Sequence, residues 1–262
     1  MKSENIKQNL MEHAYKHWEV GEYKKAIECY ERVLENNPND AEAHYGLGCM
    51  LKNLNRFEEA EREYREAIRI NPEYSDAHYN FGNLLKNSNR FDEAEKEYRE
   101  AININPNYAD AHYNLGLLLY NLNRFEEAER EYNKAIRINP NDADAHTSLG
   151  NLLIDLERCD EAEREYRKAI EIDSNDALAH YNLGILLDDL SRYKEAEREY
   201  REAIRINTEY SEAHNNLGCL LQNLNRFDEA EKEYREAIRI NPDNTNACIN
   251  LKKLKNKINS KN

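Results

Sequence analysis

Histidines recur along this chain at a fixed step of 34 residues: His44, His78, His112, His146, His180 and His214. Imidazole is the commonest metal ligand and the side chain that titrates nearest neutral pH, so six in register raise the question of a metal ladder. Zinc takes nitrogen at about 2.0–2.1 Å, whereas packed helices stand about 8–10 Å apart. Histidines one step apart cannot share an ion, and the register reads as packing. His13 and His17 are four residues apart, yet no carboxylate completes an HExxH-type site. Cys29, Cys49, Cys159, Cys219 and Cys248 are odd in number and scattered, with no CxxC pair, so neither a disulfide frame nor a thiolate zinc site is indicated. No nucleophile pairs with a base and no glycine-rich loop could cradle a phosphate. The expectation is therefore no enzyme, no metal and no cofactor.

A second register offers different chemistry. Asn80, Asn114, Asn182 and Asn216 share one position, interrupted by Gly46 and Ser148. An amide side chain carries both donor and acceptor, the complement of a peptide unit. With helices about 8–10 Å apart and an extended chain advancing about 3.3 Å per residue, such a ladder could grip a peptide backbone about once every three residues. Four net hydrogen bonds give roughly 2–6 kcal/mol, short of the roughly 8 kcal/mol of micromolar binding. Side-chain anchors must add to them. The candidates are Tyr79, Tyr113, Leu117, Tyr120, Ile154, Leu178, Tyr181 and Ile185, with Asp155, Asp188 and Asp189 beside them. Together they suggest an extended ligand whose apolar segment is followed by a basic residue. The alternative is that the asparagines only cap or solvate the surface, which carries scattered apolar side chains as most surfaces do.

These residues must be held by repeated elements. The chain aligns on itself without gaps as 7–40, 41–74, 75–108, 109–142, 143–176, 177–210 and 211–244, after a leader at 1–6. Residues 245–258 begin an eighth copy that stops after one helix, and 259–262 read as a disordered tail. The first helix of each unit has apolar residues at helical spacing, as in Ala77, Phe81, Leu84, Leu85 and Ser88. Repeat positions 3, 7, 10, 11 and 14 should be core, and 2, 5, 6, 9, 12 and 13 should form the opposite face. Asn55, Asn89, Asn123 and Asn225 sit where a helix ends in the left-handed conformation. The second helix opens with glutamates in its positive first turn and stops before Pro72, Pro106, Pro140 and Pro242. Gly48, Gly82, Gly116, Gly150, Gly184 and Gly218 should let paired helices approach closely. Arg56, Arg90, Arg124, Arg158, Arg192 and Arg226 should pair with second-helix carboxylates, the lesser reading being a basic edge for an acidic partner, and Glu58–Arg62 and Glu61–Arg65 are ordered for favourable pairing. Lys252, Lys253, Lys255 and Lys257 mark the last helix as a solvating cap. Met11, Tyr15 and Trp18 form a further apolar stripe, which in the repeat register would face the groove mouth; the reading preferred is burial by rotation of the irregular first helix as an N-terminal cap.

The pattern resembles the tetratricopeptide repeat family, carried in the second unit by His44, Leu47, Gly48, Ala60, Tyr64, Ala67 and Pro72. Histidine replaces the usual aromatic at the fourth position, Ser174 and Thr208 replace the proline, and Ala14 replaces the glycine of the first unit. The resemblance implies an all-α fold, a right-handed α-solenoid of seven helix-turn-helix repeats with a C-terminal capping helix, whose first helices line a concave groove. The asparagines are similar to the ladder in the repeat domain of the O-linked N-acetylglucosamine transferases, by which Asn80, Asn114, Asn182 and Asn216 would clamp a peptide backbone. Glu42, Asp76, Asp110, Asp144 and Glu212 would repel a terminal carboxylate, so the basic clamp that related repeats use for chaperone C-termini is missing.

The net charge of −14 argues against nucleic acid or anionic membrane as partner. No apolar run approaches the roughly 18 residues of a membrane span, and the start lacks the apolar core of a signal peptide, so a cytoplasmic protein is expected. The function expected is a non-enzymatic scaffold that binds a protein or peptide segment. Two alternatives stay open: a self-assembling architectural module, and a targeting subunit for a separate enzyme such as a glycosyltransferase. Oligomeric state stays open.

Overall fold

Each turn of the chain is short because each helix ends on a residue that stops it. In the computed structural model, which describes residues 2–259, Asn55, Asn89, Asn123 and Asn225 take φ of 57–59° after the first helix of their unit. After the second helix, the residue before the proline is extended, as at Asn71 (φ −128°, ψ 90°), where the proline ring disfavours helix. The described residues form helices and no strand.

The helices group into two units. The first holds α1 (Lys2–Glu19), α2 (Tyr23–Asn36), α3 (Ala41–Asn53), α4 (Phe57–Ile70), α5 (Ser75–Asn87), α6 (Phe91–Ile104), α7 (Ala109–Asn121) and α8 (Phe125–Ile138). The second holds α9 (Ala143–Asp155), α10 (Cys159–Ile172), α11 (Ala177–Asp189), α12 (Tyr193–Ile206), α13 (Ser211–Asn223), α14 (Phe227–Ile240) and α15 (Thr245–Asn259). Within each unit consecutive helices pack as helix-turn-helix pairs, and a first helix also touches the first helix of the next pair, as α3 touches α5. Residues 2–6, expected as a leader, lie inside α1. The last helix runs to Asn259, and the rest of the expected tail lies outside the described residues.

The core is repetitive. Ala77, Phe81, Leu84 and Leu85 of α5 are buried, as are Ala94, Tyr98 and Ala101 of α6. Position 14 departs from expectation: Ser88 is exposed, and Leu190 and Leu224 stay 41% and 36% exposed. It is the residue that caps the first helix, where the chain already leaves the packed face. The glycines meet tyrosine rings. A Cβ on Gly82 would lie 2.8 Å from the Tyr98 ring, and Gly48, Gly116, Gly150, Gly184 and Gly218 face the corresponding tyrosines in the same way.

Hydrogen bonds and ion pairs tie helix to helix. Arg90 reaches back to Glu61 at 2.6 Å, Arg124 to Glu95 at 2.6 Å, Arg192 to Glu163 at 2.7 Å and Arg226 to Glu197 at 2.6 Å. Each therefore joins one repeat to the one before. Glu61 pairs with Arg65 at 2.7 Å as expected, but Arg62 approaches Glu59 at 3.8 Å and not Glu58. The histidines do more than pack. The Nδ1 of His44, His78, His112, His146, His180 and His214 meets the carboxylate of Glu63, Glu97, Glu131, Glu165, Glu199 and Glu233 respectively at 2.6–2.7 Å. Each pair pins the first helix of a repeat to its second.

Two turns break the asparagine rule. Glu157 (φ 58°) and Ser191 (φ 61°) occupy the left-handed region, which crowds Cβ against the following carbonyl. Asparagine tolerates it because its amide can bond locally. Glu157→Asn is expected to raise stability by about 0.5–1 kcal/mol, read as a higher urea midpoint. A lower midpoint would show that Glu157 makes a contact worth more than the strain.

Candidate functional site

The sequence-derived candidates lie on the face formed by the first helices of each unit, and most are half-buried: Tyr79, Asn80, Tyr113, Asn114, Leu117 and Tyr120 in the first, and Ile154, Tyr181, Asn182, Ile185, Asp188 and Asn216 in the second. Leu178 is 49% exposed. Ser148 is half-buried, while Gly46 is fully covered.

The amides are already engaged. Asn80 Nδ2 donates to Tyr45 OH at 3.0 Å and to the Asp76 carbonyl at 3.1 Å. Asn114 Nδ2 donates to Tyr79 OH at 3.1 Å and the Asp110 carbonyl at 3.0 Å, while its Oδ1 accepts from Lys86 Nζ at 2.9 Å. Asn216 Nδ2 donates to Tyr181 OH at 3.0 Å. Each asparagine therefore reaches the residue 35 positions earlier, in the preceding repeat. At Asn182 that residue is Thr147, which is too short and bonds to Asp176 instead. Asn182 turns to Asn151 Oδ1 at 2.9 Å. Asn250 of the last helix keeps the rule and donates to Asn215 at 3.1 Å. The asparagine register thus ties first helix to first helix. With both amide hydrogens held at Asn80 and Asn114, a clamp giving donor and acceptor to every peptide unit would have to break these bonds. Oδ1 of Asn80 and of Asn182 are the acceptors it leaves over.

The tyrosines form a second tier. Tyr45 packs on Tyr74, Tyr79 on Tyr108 and Tyr181 on Tyr210, with ring centroids 4.8–5.0 Å apart. Tyr74, Tyr108 and Tyr210 hold the N-cap positions of α5, α7 and α13 and make no side-chain cap bond. Asp40, Asp142 and Asp176 at the same position in other repeats do cap their helices. A cap is worth about 1 kcal/mol, and an aromatic pair about 0.5–1.5 kcal/mol, so the exchange is near neutral for stability. What it changes is the surface, which becomes aromatic. Tyr113 packs at 6.0 Å from Tyr132, and Tyr120 at 5.7 Å from Phe125.

Charge on this face differs between the units. In the second, burial and the neighbouring Asp189 raise the Asp188 pKa above its ordinary value, and no cation pairs with it among the described residues. Asp144, at the start of α9, is also raised, by burial and then by Asp142, Asp176 and Asp173. In the first, Lys86 is half-buried and its pKa is lowered by desolvation. Lys86 shares repeat position 12, on the expected opposite face, with Lys52, but neither is among the sequence-derived site candidates.

The stripe Met11, Tyr15, Trp18 is not buried. Tyr15 is 55% and Trp18 43% exposed, and both line a cavity with residues of the following two repeats. α1 packs through Leu10 and Ala14, which turns the stripe toward the first-helix face and away from the core. No group of histidine, cysteine and carboxylate side chains suited to a metal is found among the described residues, and none of their helices is long and apolar enough to cross a membrane.

Comparison with known proteins agrees with this architecture. Tetratricopeptide repeat models match residues 11–75 and 79–143, 54–103, 131–164, 177–210 and 211–244, and a TPR repeat model matches 150–191. Together these run unbroken from 11 to 244. Among solved structures, YrrB, described as a TPR protein with an unusual peptide-binding site, is 26% identical with a TM-score of 0.59, covering 71% of this chain and 95% of its own. MamA is 26% identical with a TM-score of 0.57, covering 66% and 94%. Pseudomonas aeruginosa PilF is 20% identical with a TM-score of 0.72, covering 83% and 97%, a likeness of fold alone. No curated protein matches the chain in sequence.

Proposed function

Because the chain belongs to the tetratricopeptide repeat family, whose members generally mediate protein–protein interactions, we propose that it is a non-enzymatic scaffold whose first-helix faces bind an extended peptide segment of another protein. The observation that carries this reading is Asp188, half-buried, raised in pKa and without a cation partner among the described residues, beside the half-buried Ile185 on the same helix. A desolvated acid of this kind is relieved by a basic side chain from a ligand, and Ile154, Tyr181 and Ile185 supply apolar contact for the residues next to it. Asn182 Oδ1 adds an acceptor for a peptide N–H. In the first unit Tyr79, Tyr113, Leu117 and Tyr120 supply the corresponding apolar surface, and Asn80 Oδ1 the acceptor. YrrB, with its peptide-binding site, is a solved structure of the same kind.

The test is fluorescence anisotropy with labelled peptides that carry an apolar run followed by arginine. Asp188→Lys is expected to weaken binding at least tenfold, about 1.4 kcal/mol. Ile185→Asn should weaken it by a similar factor, with circular dichroism unchanged. Equal binding by the parent and both variants would remove this face from the function.

A further inference from the structure

We propose that the N-terminal unit carries a separate anchor site of opposite charge preference: an aromatic pocket that takes a large apolar side chain of an extended protein segment, with adjacent carboxylates of that segment held by Lys52 at the rim and by Lys86 one repeat further on. The inference rests on the reading that first-helix faces bind extended segments.

The pocket is a cavity of about 520 Å³, within the range of sites that bind small groups. Its walls are Met11, Tyr15, Trp18, Tyr30, Tyr45 and Tyr74. It exists because Gly46 stands where four other repeats carry asparagine. A Cβ there would clash with the Tyr30 ring, which lies against Gly46 and lines the cavity with it. Tyr45, held by Asn80 at 3.0 Å, and Tyr74, stacked on it at 5.0 Å, form one wall. Tyr15 and Trp18, 5.3 Å apart, form the facing wall and remain largely exposed. Aromatic walls of this kind favour a bulky apolar or aromatic side chain.

Charge at the rim selects the neighbour of that side chain. Glu42 also lines the cavity, but Lys7 pairs with it at 3.2 Å. Lys52, on the same rim, reaches no carboxylate among the described residues. Lys86, at the equivalent position of the next repeat, donates to Asn114 Oδ1 at 2.9 Å and reaches no carboxylate among the described residues. Two half-buried ammonium groups without a counter-ion are complemented by an anion. The occupant is therefore an acidic–aromatic segment, in contrast to the basic one that Asp188 calls for.

Trp18 is the single tryptophan of the chain, so its emission reports on this pocket alone. The full chain is titrated with capped serine–glycine peptides carrying one phenylalanine beside two glutamates. Controls have the phenylalanine replaced by alanine, or the glutamates by lysines. Expected is a saturable blue shift with half-saturation below about 1 mM, and binding at least fivefold weaker for both controls. The double variant Lys52→Glu/Lys86→Glu should lose at least tenfold and come to prefer the lysine peptide, while Lys232→Glu, an exposed position of α14, should leave the titration unchanged. Equal response to glutamate and lysine peptides, or an unmoved emission, would overturn the proposal. If basic peptides still bind through Asp188 while Trp18 stays silent, the pocket falls and the general reading stands. If peptides of neither charge bind, both fall.

Discussion

Tyr98→Ala is expected to destabilise the N-terminal unit by about 3–5 kcal/mol, the cost of emptying a buried aromatic site. For a chain of this size that is a fall in Tm of about 6–20 °C. The ring is fully buried, its hydroxyl donates to Asn83 Oδ1 at 2.7 Å, and its edge fills the space above Gly82. A cavity here lies where α5 meets α6, and the repeats depend on their neighbours for burial. Gly82 supplies the control. Gly82→Ala in the parent places a methyl 2.8 Å from the ring and should cost about 1–3 kcal/mol by overpacking. In the Tyr98→Ala background the ring is gone, and alanine's helix propensity, about 1 kcal/mol over glycine, is all that remains. The same substitution should then stabilise. Urea unfolding of the four proteins reads the reversal of sign; a cost in both backgrounds would show that the close approach of the helices is held by something other than this ring.

Raising the pH above about 6.5 is expected to weaken the fold through His78. Its Nδ1 meets Glu97 at 2.6 Å and its Nε2 the Pro72 carbonyl at 3.1 Å. Both partners are acceptors, so both ring nitrogens must carry protons to satisfy them. Burial is the largest influence on the ring and opposes the charge, but Glu97 and the Pro72 carbonyl together outweigh it and raise the pKa. A pKa raised on folding contributes stability in full below the unfolded value, about 6.5, and that contribution disappears as the pH climbs through the folded value. The carboxylates work the other way. Glu131 and Glu199 are lowered: burial alone would raise them, but His112 with Lys134, and His180 with Arg198, win. Their contribution is lost as the pH falls through and below the ordinary carboxylate range. Stability should therefore peak at mildly acidic pH. Glu97→Ala breaks a largely buried pair and should cost about 3 kcal/mol near pH 6, and less toward pH 9, since rising pH takes the charge off the ring. Chemical denaturation across that range tests it; an unchanged slope in the variant would exclude the pair as the source.

Much of this molecule was legible in the residues. A step of 34 with apolar side chains at helical spacing, asparagine at the first stop and proline at the second, determines the helices and their order, because these signals act within a turn or two of the backbone. The glycine–tyrosine contacts were half legible: the need for a small residue shows in the sequence, while the ring it accommodates, sixteen positions on, shows only in the packing. Position 14 misled, since an apolar residue at helical spacing looks like core even where the chain is already turning away.

The tertiary structure decided how the polar registers are used. His78 and Glu97 are 19 residues apart, and Asn80 and Tyr45 are 35 apart, on helices that meet only after packing. Whether an amide faces a ligand or a neighbouring hydroxyl depends on a displacement of an ångström or two between helices, and no local pattern encodes that. Spacing alone determined a run of paired helices at the 34-residue step of the tetratricopeptide repeat. Packing decided that Asn80, Asn114 and Asn216 bind the chain's own tyrosines, that Trp18 looks outward, and that Lys86 and Asp188 are half-buried with no opposite charge paired to them among the described residues, because desolvation and partner choice are properties of the assembled helices.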